Sequence, residues 1–213
     1  MYAKHKRTVY FMKKLHRIEI SVALSLIIAV IFSTVSFAFD CREIRNNVVR
    51  LHVLANSDSE ADQRVKLLVR DALLESGAEI FSGAATAEDA SVYLEKDKDE
   101  LVKTAEKVLK ENGFLYGAKI ELVREYFTTR TYGEYTIPAG EYLAVRVLLG
   151  KAQGHNWWCV MFPPLCLPAA SENSDVHIAV GDRGAEIIEG GNKYEVRFKI
   201  VEIYEDIKNK IKK

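Results

Sequence analysis

RLHVLANSDSEADQRVKLLVRDALL, residues 50–74, contains a strand, a turn and a helix in direct succession. Leu51 and Val53 alternate with Arg50 and His52, the period-two pattern of a half-buried strand. Asn56-Ser57-Asp58-Ser59 breaks that strand, because short polar side chains bond their own backbone and favour turns. Ser59 is placed to cap a helix, and Asp62 follows three residues later, close to a capping box. Val65, Leu68, Val69, Ala72 and Leu73 then recur at helical spacing as a core-facing stripe, which Gly77 is expected to end.

Downstream, Thr86 and Asp89 have the spacing that opens a second helix. Leu94, Leu101, Ala105, Val108 and Leu109 form its apolar face, and Asn112-Gly113 supplies a left-handed stop. The charged run 96–100 reads as a solvated face of that helix. Beyond Gly113 the period changes to two, predicting strands over 119–126 and 141–149 with turn signals at Tyr132-Gly133 and Pro138-Ala139-Gly140. The second of these is nearly continuously apolar apart from Arg146, which predicts a central position. A short strand over 160–162 is closed by Pro163-Pro164, since proline cannot sit at a sheet centre. Residues 170–192, rich in Ser, Asn, Asp and Gly, read as a loop. A final amphipathic helix over 194–212 would turn Phe198, Val201, Tyr204, Ile207 and Ile211 to the core. The pattern predicts an α+β fold: one domain, with a small, largely antiparallel sheet and helices packed on one side.

The N-terminus is a different kind of sequence. Residues 1–38 carry six Lys or Arg against one acid, Glu19, leaving a net charge of −5 on the rest of a chain that is neutral overall. From Val22 to Phe39 there is no charge, a run long enough to approach the ~20 residues that span a bilayer. A basic head before an apolar run is a membrane-targeting pattern with the positive end held in the cytoplasm. Ser36-Phe37-Ala38 offers the small residues of a signal-peptidase site, so 1–38 reads as a signal peptide or a membrane anchor. Asp40 before Cys41 is a poor context for lipidation. Residues 39–213 are then the exported domain, and their mildly acidic balance argues against nucleic acid as a partner.

Export bears on the three cysteines, Cys41, Cys159 and Cys166. An oxidising compartment permits a disulfide, and Cys159 and Cys166 flank the Pro163-Pro164 bend. The pair is a candidate disulfide; two buried thiols packing as small hydrophobes is the other reading. Among catalytic patterns, His155 and Cys159 stand four apart, which leaves an exported cysteine hydrolase open. No HExxH, glycine-rich phosphate loop or GxSxG elbow occurs, and His52, His155, Cys159 and Cys166 match no strong zinc spacing. No catalytic residue, metal or cofactor is therefore assigned.

Recognition offers more. His52 reads either as a structural histidine or as a partner contact, and Asn56 and Asp58 are explained equally by turn-making and by contact. In an extended Trp157-Trp158 pair, one ring enters the core and its neighbour faces the other way. An exposed Trp beside Phe162 and prolines suits a protein-binding hot spot. The candidate partner-binding face is Arg50, His52, Asn56 and Asp58 together with Trp157, Trp158 and Phe162, provided the fold brings the two segments together.

The same residues carry a family resemblance. Arg50-Leu51-His52-Val53, Ala55-Asn56-Ser57-Asp58, Asp62-Gln63 and Val69-Arg70-Asp71 resemble one signature of stage II sporulation protein R. Pro138-Ala139-Gly140-Glu141-Tyr142, Arg146, Asn156-Trp157-Trp158-Cys159-Val160 and Phe162-Pro163-Pro164-Leu165-Cys166 resemble a second. The likeness covers about 46–166. It implies a signalling protein of endospore formation, made in the forespore and exported into the intermembrane space between forespore and mother cell. There it would activate a membrane-embedded aspartic protease of the mother cell, which processes the precursor of the mother-cell sigma factor. On that reading the chain is a ligand, not an enzyme. Two alternatives are an exported cysteine hydrolase acting on peptide or peptidoglycan, and a membrane-anchored structural septal protein.

Overall fold

The computed structural model describes the backbone of residues 2–81, 83–84, 86–163, 165 and 174–211. The chain divides into two units, 1–39 and 40–213. In the first, the apolar run is helical throughout, as part of α1 (Tyr2–Asn46). The segment His16–Asn46 holds an 18-residue window of mean hydropathy 2.5, and is long and apolar enough to cross a membrane. This is compatible with a signal peptide or membrane segment.

The second unit is built on a four-stranded sheet in the order β2-β5-β1-β6. Its strands are β1 (Val49–Leu54), β2 (Ala118–Phe127), β5 (Gly140–Leu149) and β6 (Asn156–Phe162). The two outer pairings, β2 with β5 and β1 with β6, are antiparallel, and the central β1–β5 pairing is parallel. A parallel pair needs a long crossover. Here it is supplied by α2 (Glu60–Ile80) and α3 (Ala87–Glu111), which pack on each other. A small hairpin, β3 (Arg130–Tyr132) and β4 (Tyr135–Ile137), links β2 to β5. The fold is α+β with a mostly antiparallel sheet, and 141–149 is central as its apolar run requires.

Alternation along β1 sorts the sheet into two faces. Leu51 and Val53 share one face with Val145, Val147, Cys159 and Trp157. There α2 and α3 cover the sheet with Val65, Val69, Leu73, Leu94, Leu101 and Leu109, all buried. Truncating any one of these leucines to Ala should cost about 2–5 kcal/mol. Arg50 and His52 point to the opposite face with Tyr142, Ala144, Arg146 and Trp158. β1 is not half-buried as its alternation suggests: Arg50 and His52 are buried too, because aromatic side chains from β2, β3 and β6 close over them.

Four local expectations change. Ser59 does cap α2, accepting the Asp62 N–H, and Thr86 with Asp89 forms a full capping box on α3. Gly77, however, does not end α2, which continues to Ile80. A Cβ at Gly77 would meet the Met161 side chain of β6 at 2.7 Å, so the glycine serves close helix–strand packing. Leu68 is exposed and Leu74 takes its place in the core. Of the expected loop over 170–192, residues 170–173 lie outside the described residues and the rest contains α4 (Ser174–Glu189), whose Val176, Ala179, Ala185, Ile187 and Ile188 are buried. Gly181, at φ 70°, kinks it. The last helix, α5 (Gly191–Ile211), buries Phe198 and Val201 but leaves Tyr204, Ile207 and Ile211 exposed.

Candidate functional site

Register brings the two sequence segments together, because β1 and β6 are hydrogen-bonded neighbours. Arg50, fully buried, lies inside this junction. Its Nε donates to the Cys159 carbonyl at 3.0 Å and Nη2 to the Tyr132 hydroxyl at 2.7 Å. The guanidinium carbon sits 4.4 Å from the Phe127 ring centroid, 5.2 Å from Tyr142 and 5.5 Å from Tyr132. Burial lowers the Arg50 pKa, and the facing Tyr132 and Tyr142 work against that. A cation held by ring faces and neutral oxygens is a structural clamp that ties the β3–β4 hairpin to the sheet. It is not an exposed contact, as the candidate face supposed.

Next to it, four residues form a row across all four strands on the same face. Glu121 of β2 pairs with Arg146 of β5, Arg146 lies opposite His52 of β1, and His52 lies opposite Trp158 of β6. Arg146 donates twice to Glu121 Oε2, from Nη2 at 2.6 Å and from Nε at 3.1 Å. Lys119 and Arg146 together pull the Glu121 carboxyl down to about 2, so it stays ionised. The His52 ring stacks on Trp158 at 3.7 Å and 16°, and its Nδ1 meets Glu125 Oε2 at 2.9 Å. Phe127 stands edge-on to Trp158 at 4.9 Å. Glu121, Arg146 and Trp158 are half-buried, while His52 beneath them is only 4% exposed. Among the described residues, His52 Nε2 is buried without a hydrogen-bond partner. Such an atom costs about 1–3 kcal/mol where it sits.

At the strand's far end, Asn56, Ser57 and Tyr116 converge on Asp62 of α2. The Asp62 carboxylate accepts from Asn56 Nδ2 at 2.9 Å, Ser57 Oγ at 2.5 Å and Tyr116 Oη at 2.6 Å. Asn56 Oδ1 in turn accepts the Lys151 N–H at 2.9 Å. A Cβ on Gly150, itself at φ 54°, would collide with Asn56 Oδ1. Asp58 accepts the His155 backbone N–H at 2.6 Å and meets His155 Nδ1. Lys66 donates to the His155 carbonyl at 3.0 Å. Asn56 and Asp58 thus hold the β5–β6 loop against the β1–α2 turn.

Burial pushes the Asp62 carboxyl up, but the bonds from Ser57, Tyr116 and Asn56 outweigh it and the net shift is downward. A depressed carboxyl stabilises the fold above the unfolded pKa of about 4, and that contribution is lost as pH falls through the lowered folded value. The urea midpoint should therefore hold steady above about pH 5 and decline below it. Asp62→Asn should flatten that acid limb, which a pH series of urea titrations checks.

The other sequence candidates separate. Trp157 turns to the helix face, 37% exposed, with the Arg70 guanidinium 4.6 Å from its ring. Phe162 is buried edge-on to Phe81. Cys159 is buried and disulfide-bonded, whereas Cys41 is a buried free thiol. Cys166 and Pro164 lie outside the described residues. A half-cystine has no thiolate to offer as nucleophile or metal ligand, so the His155–Cys159 spacing carries no catalytic pair. Glu121, Glu125, Phe127 and Tyr132 escaped the sequence reading because only register brings them to His52 and Arg50. Asp62 had shown itself only near a capping box and in the family signature.

The family model of stage II sporulation protein R matches residues 45–172, more than half of the chain. A curated relative, stage II sporulation protein R of Bacillus subtilis (strain 168), is 35% identical over 123 residues. That match spans 58% of this chain and 55% of the relative, so about half of the relative's length. No solved structure matches. The matched segment starts at Arg45 and contains β1, the Asp62 junction and the whole cross-strand row. The chain belongs to the stage II sporulation protein R family.

Proposed function

We propose that this protein is an exported signal of sporulation that works as a ligand. It binds a membrane-embedded aspartic protease of the mother cell from the intermembrane space and shifts it to its active state, and the protease then cuts the sigma factor precursor. A ligand does this only through a difference in affinity for the two receptor states. Family membership supports the sporulation role. The contact face is Glu121, Arg146 and Trp158, with the buried His52 as the platform beneath them and Asn56 and Asp58 holding the loop beside it.

The observation that carries this reading is the convergence of both signature segments. His52 comes from one, Arg146 and Trp158 from the other, and the sheet sets them side by side on the face that α2 and α3 leave free. An Arg and a Trp, half-buried and flanked by charge, are the residue types that dominate protein interfaces. The disulfide at Cys159 weighs against the cysteine hydrolase.

Reconstitution in a non-sporulating bacterium tests the proposal. The protease and the sigma factor precursor are co-expressed with and without this chain, and precursor cleavage is followed by immunoblot. Cleavage only when the chain is exported is the expected result. An intact precursor with all three proteins present and correctly localised would overturn the proposal.

A further inference from the structure

α5 presents an apolar surface that no described residue of the domain covers. Val196, Ile200, Ile203, Tyr204, Ile207 and Ile211 are 44 to 80% exposed. At 3.6 residues per turn they fall within an arc about 100° wide, a continuous stripe along the helix. Phe198 and Val201 anchor the helix to the domain from the other side.

Charge on α5 is sorted around that stripe. On the helical projection Arg197 and Lys208 border one edge, and Lys199 and Lys210 the other. Glu195, Glu202 and Glu205 project from the far side. Asp206, nearest the Lys199 edge, is taken up by a hydrogen bond from the Tyr126 hydroxyl. An apolar arc edged by long cations, with its acids set behind them (Glu202 3.5 Å from Lys199 and Glu205 3.1 Å from Lys208), is the pattern of a helix lying in a lipid interface. The Lys and Arg stems cover apolar surface while their heads reach the phosphates. A second copy fits this stripe poorly. Two-fold pairing would set one cationic border against another in either helix direction.

The sequence adds a geographic reason. Arg45, which ion-pairs with Glu205 of α5 at 3.2 Å, follows the end of the apolar run at Phe39 by six residues. We propose that α5 is a second membrane contact, its apolar face seated in the interface of a bilayer with anionic headgroups and Arg197, Lys199, Lys208 and Lys210 at the phosphates. The contact is independent of the N-terminal segment, so it holds the exported domain at the membrane whether or not residues 1–38 are removed.

The test uses the full chain carrying Ile203→Cys, labelled with an environment-sensitive fluorophore and reconstituted into vesicles. Cys41 is buried and Cys159 disulfide-bonded, and the unsubstituted chain labelled in parallel gives the background. In phosphatidylglycerol-containing vesicles the emission should shift to the blue and lose most of its intensity to bromine-substituted lipid. Both effects should vanish in the Lys208→Glu/Lys210→Glu background and weaken at high salt, where surface charges are screened. Emission at the aqueous position in the anionic vesicles would overturn the proposal. So would a blue shift that grows with protein density and resists the brominated lipid, because a second copy would then cover the stripe.

Discussion

Arg50→Ala is expected to destabilise the exported domain by about 4 kcal/mol, enough to remove most of the stability of an ordinary domain. The substitution empties the space between Phe127, Tyr132 and Tyr142, a cavity at the base of the hairpin. It also deletes the charge-assisted hydrogen bonds to the Cys159 carbonyl and the Tyr132 hydroxyl, each about 1.5–3 kcal/mol. Arg50→Lys should not rescue it, since a point charge cannot bridge two partners across a planar stack of rings. Arg50→Met should recover part of the loss, because it keeps the stem and removes a charge that has no acidic partner among the described residues. Urea denaturation followed by circular dichroism ranks the three variants. A midpoint for Arg50→Ala equal to the parent's would show that the guanidinium holds nothing together.

Trp158→Ala is expected to abolish signalling at matched exported levels. The indole is both the half-exposed end of the cross-strand row and the lid on His52. An interface hot spot of this kind carries 2 kcal/mol or more, roughly 30-fold in affinity. The loss of the His52 and Phe127 contacts should cost about 1 kcal/mol in the fold for each aromatic pair. Trp158→Phe separates the two effects: a smaller ring that still stacks should restore the denaturation midpoint while signalling remains reduced. His52→Ala should behave like Trp158→Ala, since it removes the platform and leaves Glu125 without its partner. Precursor processing on a blot, set beside the midpoints, reads both properties. Should signalling track the midpoint in every variant, the row is core and not contact.

What the sequence made legible was local. Alternation at Leu51 and Val53, the Ser59 cap and the Thr86–Asp89 box act within a few residues; the strand, its two faces, the cap and the box all formed, and only the half-burial of the strand did not. The opposed faces of Trp157 and Trp158 follow from period two alone. The burial of Arg50 and His52 was not legible. Their cover, Tyr132, Phe127 and Trp158, lies 75 or more residues downstream and arrives only through the β2–β5–β1–β6 register. Composition misjudged 174–189 because Gly181 breaks the helical phase, so neither half of α4 shows a long stripe. On α5 the apolar positions were seen but assigned to one face. The helix has two, one holding Phe198 and Val201 and one facing out. Burial against the domain, which decides between them, is not a property of the helix alone.

Arg146 offers the most direct test of the contact face. Its solvent-screened pair with Glu121 contributes little to the fold, so Arg146→Ala should leave the domain intact. In the three-protein reconstitution, with exported protein titrated and matched, precursor processing should require about tenfold or more Arg146→Ala protein to reach the same level. Full processing by Arg146→Ala at the concentrations that suffice for the parent would contradict the assignment of this row as the receptor-binding face.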